Sequence, residues 1–197
     1  MWAREMFDTD VYHLIAAFII YSILGWTVES IYMSLCNRRL TNRGFGRGPF
    51  CPIYGFGGVI GYLLLRPLGG SLIRLYLAGA LVATLFEYLV GRLMLKLFGE
   101  VWWDYNEKPL NYQGIICLES TIAWGFYAII IVTFLHGRIL GLVDRYDRVW
   151  GIRCCKLVIA LVTVDYLLRL MKIFNISLKQ QKERLTDAYR SFRTRWY

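Results

Sequence analysis

The chain has 197 residues, 57% of them hydrophobic and only 19% charged, and its mean hydropathy is +0.42. Soluble domains carry about 45–50% apolar and about 25% charged residues, so an ordinary water-soluble domain is excluded and a bilayer is indicated. The length suits one small helical bundle and excludes a transporter that carries its own nucleotide-binding domain. The net charge of +9 arises from basic residues placed between and after apolar segments. There they set topology and meet anionic headgroups, so lipid rather than nucleic acid is the expected partner.

A spanning helix needs about 20 mainly apolar residues. In chain order, residues 1–10 mix Arg4 with Glu5, Asp8 and Asp10 and lack the basic start of a secretory signal, so the first helix is expected to be retained. The first span is expected over 11–35. The second, 49–65, is short and glycine-rich, and reads as a tilted or partly re-entrant segment. The third is 72–98, the fourth 115–135 and the fifth 157–176. The fold class is therefore an all-α transmembrane bundle of about five spans. Residues 1–176 form the membrane domain, and 177–197 a basic tail in which Leu178, Leu185, Tyr189 and Phe192 recur at helical spacing.

Basic residues favour the cytoplasmic side. Loop one (36–48) holds Arg38, Arg39, Arg43 and Arg47 without an acid, and the tail is rich in Lys and Arg. This places loop one, loop three (102–111) and the tail inside and the N-terminus outside. The segment 142–152, with Asp144 and Asp147 beside Arg145 and Arg148, conflicts with this bias and reads as an interfacial helix. The five cysteines show no metal-binding spacing, and no cofactor is expected.

Ionisable residues inside spans are costly and usually face a cavity or one another. Glu29, Glu87, Arg92, Glu119, Asp165 and Arg169 all fall in the half next to loops one and three, by a rise of about 1.5 Å per residue. Asp165 and Arg169 are spaced as an ion pair on one helix face. Arg92 looks to another helix. Glu29, Glu87 and Glu119 are expected to converge in one polar pocket, as an ion or proton site, a counter-charge for a ligand, or a network that fixes helix order. In loop one, glycines flank Arg43 and Arg47, which are forks suited to a carboxylate or phosphate. In loop three, Asp104 is the acid placed to pin one of them, and Trp102 and Trp103 are interfacial anchors. Tyr54 and Asn111 complete the candidate binding set. Glu-Ser occurs at Glu29-Ser30 and again at Glu119-Ser120, which hints at an internal echo. His13 and His136 lie toward the far side and read as structural.

Several motifs recur in a fixed order: Gly25-Trp26 with Glu29 and Tyr32; Asn42-Arg43-Gly44-Phe45; Gly48-Pro49-Phe50-Cys51-Pro52-Ile53-Tyr54-Gly55; Glu87-Tyr88; Trp102-Trp103-Asp104-Tyr105; Asn111 with Gly114, Cys117-Leu118 and Ser120; and Trp124-Gly125. Over about residues 12–135 they resemble the CmpB-like, ABC-transporter type IV family of bacterial membrane proteins. The resemblance implies a multi-pass protein of the bacterial inner membrane with a permease label, and no catalytic residues to carry over. The expected function is a small permease or channel-like subunit for an ion or polar solute, as a homo-oligomer or part of a membrane complex. The alternatives are a structural or regulatory subunit that binds a partner or anionic lipid, and an intramembrane enzyme acting on a lipid-linked phosphate.

Overall fold

The computed structural model describes residues 2, 5–6, 9–99, 101 and 103–196, with side chains described for 2, 9–99, 101, 103–172 and 174. Trp102 and the tail side chains Leu178, Leu185, Tyr189 and Phe192 lie outside this set. The chain opens with a two-residue antiparallel ladder, β1 (Glu5–Met6) with β2 (Thr9–Asp10). Five helices follow: α1 (Val11–Asn37), α2 (Pro52–Leu65), α3 (Leu72–Phe98), α4 (Leu118–Val143) and α5 (Arg148–Trp196). Another short ladder, β3 (Asn111–Tyr112) with β4 (Ile116–Cys117), closes the loop before α4. Helix α4 contains a π turn at Ile131–Leu135.

Among the described residues, three of these helices, α1, α3 and α4, are long and apolar enough to cross a bilayer. Helix α2 has 14 residues, about 21 Å, and is too short alone. Helix α5 is long enough, with 49 residues, but its apolar stretch is interrupted by Asp165 and Arg169. The expected interfacial helix at 142–152 does not form. Helix α4 ends at Val143, a turn follows, and Asp147 caps α5 by accepting from the backbone N–H of Trp150 at 3.0 Å.

The bundle is apolar on its outside. On α3, Leu77, Leu81, Leu85, Leu89 and Leu93 form an exposed stripe at four-residue spacing. A stripe of this size suits lipid, not water. The buried polar and charged residues are Ser22, Ser30, Glu87 and His136 among those described. His136 stacks on Tyr62, with ring centroids 3.5 Å apart, and its Nδ1 lies 3.0 Å from the Tyr21 hydroxyl.

The helices pair as two hairpins, α1 with α2 and α3 with α4. In the first, small residues allow close approach. A Cβ on Gly25 would fall on the Tyr54 ring, and one on Gly55 would fall on the Ser22 hydroxyl and the Phe18 ring. After α1 the chain turns at Arg38, whose φ is 51°, and loop one then runs back along α1. At its end the N–H of Cys51 donates to the carbonyl of Ser22 at 3.1 Å. Ser22 lies about 22 Å below the last residue of α1, so α2 starts halfway along its partner. The second hairpin repeats the arrangement. Gly91, nearly two turns before the end of α3, is where Ile115 and Trp103 pack, and α4 starts beside Glu87.

Candidate functional site

Loop one is irregular backbone whose later part lies against α1 and α5, and buried polar groups there need partners. Ser30 accepts from the N–H of Arg43 at 3.2 Å, and Ser34 from the N–H of Thr41 at 2.9 Å. Asn42 Oδ1 accepts from the Trp26 indole at 2.7 Å and from the N–H of Gly44 at 2.8 Å. From α5, Asp165 Oδ2 accepts from the N–H groups of Arg47 at 2.8 Å and Gly48 at 3.2 Å. The Tyr166 hydroxyl donates to the carbonyl of Phe50 at 3.1 Å. Asp165 therefore serves the loop backbone. The expected ion pair with Arg169 is not formed among the described residues, and Arg169 is exposed.

Glu29 joins the loop to both helices of the first hairpin. Its Oε1 accepts from Arg43 Nε at 2.9 Å, and its Oε2 accepts from the Tyr54 hydroxyl at 2.7 Å. Arg43 thus folds inward, while the Arg47 side chain is exposed and, among the described residues, Arg47 is engaged through its backbone.

Glu87 has the corresponding place in the second hairpin. It is 5% exposed, the buried charged residue of a mainly apolar helix. Its Oε1 accepts from the Tyr105 hydroxyl at 3.1 Å; its Oε2 accepts from the Ser120 hydroxyl at 3.2 Å and the Trp124 indole at 3.0 Å. All three donors are neutral, and no cation pairs with Glu87 among the described residues. Tyr105, in loop three, has its pKa pushed up by burial and by the adjacent Glu87, with a smaller contribution from Glu29.

Glu119 does not join them. Its side chain is 62% exposed and pairs with Lys108 at 2.8 Å. The cause is helical: Ser120 faces Glu87, and the preceding residue is turned by about 100°. Asp104 does not reach Arg43 or Arg47. It accepts from the backbone and side-chain N–H groups of Asn106, at 2.9 and 2.6 Å, and so closes its own turn. Asn111 donates to the carbonyls of Asn106 and Lys108 and accepts from the N–H of Gly114, where φ is 66°. It shapes loop three as Asn42 shapes loop one. Arg92 reaches Gln113, in the turn between β3 and β4, at 3.5 Å, not another helix. The internal echo also pairs differently: Glu29 matches Glu87, each on the first helix of a hairpin and each accepting a tyrosine hydroxyl.

Tyr105, Ser120 and Trp124 are the Glu87 partners that reasoning from charge alone missed. Each stood in the motif series, so the signal was present without its meaning. An apolar exterior and three helices able to cross a bilayer, among the described residues, define a multi-pass helical membrane protein. The chain matches over residues 16–170 the family described as "Putative ABC-transporter type IV", and it belongs to that family of bacterial inner-membrane proteins. The match extends past the motif series into α5, and so includes Asp165 and Tyr166. Searches among curated proteins and among solved structures find no match.

Proposed function

We propose that the protein is a small permease or channel-like transport subunit for an ion or small polar solute, with Glu87 at its working site. The observation that carries this reading is the Glu87 carboxyl: buried, on a lipid-crossing helix, and held by three neutral donors from loop three and α4. A carboxyl placed this way is costly in a bilayer and is suited to exchange a proton or meet a cation. Glu29, balanced by Arg43, has the matching place in the first hairpin. In this reading the chain crosses the membrane five times. Loop one dips in as irregular backbone, which a bilayer tolerates only when protein encloses it. Helix α2 then completes the second crossing. The N-terminus lies outside. Loops one and three and the basic residues 177–197 lie inside, against anionic lipid, and the subunit works as a homo-oligomer or within a larger membrane complex.

The test is flux of protons, Na⁺ and K⁺ in proteoliposomes. Wild-type protein is expected to raise permeability to at least one of them above empty vesicles, and Glu87→Gln to remove the increase. Equal flux from wild type and Glu87→Gln rejects Glu87 as the working site.

A further inference from the structure

At the end of the bundle away from loops one and three, separate chain segments meet through one imidazole. His13 sits in the first turn of α1, about 24 Å along the helix from Glu29. Its Nδ1 lies 2.8 Å from Oδ1 of Asp10, the residue that caps α1. Its Nε2 lies 2.8 Å from Oδ1 of Asp144, in the turn between α4 and α5. Asp10 Oδ2 accepts from Arg148 of α5 at 2.6 Å, and Arg148 also donates to the carbonyl of Trp2 at 3.3 Å. The Tyr12 ring meets the imidazole edge-on, with centroids 5.1 Å apart. Among the described residues the charged and titratable groups around His13 are therefore Asp10 and Tyr12 from its own end of the chain, Asp144 from the turn, and Arg148 by way of Asp10.

A neutral imidazole offers one N–H and one lone pair, whereas a carboxylate only accepts. Both contacts can be hydrogen bonds at once only when each ring nitrogen carries a proton. Losing one sets a bare nitrogen against a carboxylate oxygen at 2.8 Å. The two arms are unequal. Asp10 also holds the backbone N–H of His13, at 2.9 Å, and Arg148. The Asp144 carboxylate, 65% exposed, has no other donor among the described residues. The arm that gives way is the one to Asp144.

We propose that His13 is a proton-held clasp that ties the start of α1 to the α4–α5 turn, closed on the imidazolium and released from Asp144 when the ring is neutral. This device is independent of the transport reading. It acts on the foot of α5, the helix whose Asp165 holds loop one.

Spin labels at Thr9→Cys and Tyr146→Cys report the distance across the clasp. They are placed in the full chain, with its five free cysteines replaced, reconstituted in phosphatidylcholine–phosphatidylglycerol vesicles. The expected result is a short, narrow distance distribution at about pH 5 and a longer, broader one at about pH 8.5, with a single midpoint between them. With Asp144→Asn the side-chain amide donates to the bare nitrogen, and the short distance is expected at both values. With His13→Gln the distribution is expected to be the same at both. An unchanged wild-type distribution overturns the proposal, as does a pH-dependent shift that persists in Asp144→Asn or His13→Gln.

Discussion

Glu29, Glu87 and Glu119 look alike in the sequence, and their surroundings give them different work. Glu29 is balanced by a guanidinium, Glu119 is a solvent-side ion pair, and Glu87 is enclosed by neutral donors. Substitutions should separate them. Trp124→Phe removes one donor from a buried carboxyl and is expected to cost about 1–2 kcal/mol of stability. Glu119→Gln loosens an exposed pair and is expected to leave the melting temperature unchanged. Thermal unfolding in detergent, followed by circular dichroism, measures both. Equal effects from the two would mean that the buried contacts around Glu87 contribute nothing to holding the second hairpin together.

The helices differ in how plainly the sequence announces them. The run 72–98 coincides with α3, because an apolar stretch of that length has one stable form in lipid. The fourth span was expected from residue 115 but starts at Leu118, because Ile115 and the β4 residues Ile116 and Cys117 pack as part of loop three. The return of loop one along α1 was the least legible feature. Glycine and proline mark a turn there, but its depth is set by Ser22, Ser30 and Asp165, which are distant in sequence. Glycine content alone also hides which glycines matter. Gly25→Ala places a methyl on the Tyr54 ring, whose hydroxyl is fixed to Glu29, and is expected to destabilise by about 1–3 kcal/mol. Gly61, with nothing near its missing Cβ, is expected to tolerate alanine or gain about 0.5–1 kcal/mol. Unfolding of the two variants side by side checks the contrast.

For the whole molecule, most of the polar chemistry gathers at one end, and every intramembrane acid expected from the sequence touches loop one, loop three or a donor beside them. That end was legible from the rise per residue. The division of labour within it was not, because it depends on which side of a helix each residue faces. Two native thiols lie at opposite ends: Cys36 is exposed at the end of α1, and Cys154 is exposed near the start of α5, while Cys51, Cys117 and Cys155 are buried. With the proposed orientation, a membrane-impermeant maleimide applied to intact cells is expected to label Cys154 and spare Cys36, and to reach both after permeabilisation. The reverse pattern would invert the topology.

The starting point of α2, halfway along α1, also bears on how the protein enters its membrane. A segment of 14 residues with glycines at positions 55, 57, 58 and 61 is a weak substrate for insertion by itself. Its glycines find their value only against a helix already in place, where Tyr21 and Ser22 fill the hollows beside Gly58 and Gly55. In the proposed five-crossing reading, α1 and α2 are expected to pass into lipid together, as one hairpin. The residues that join them are then a condition of biogenesis before they are part of any finished site.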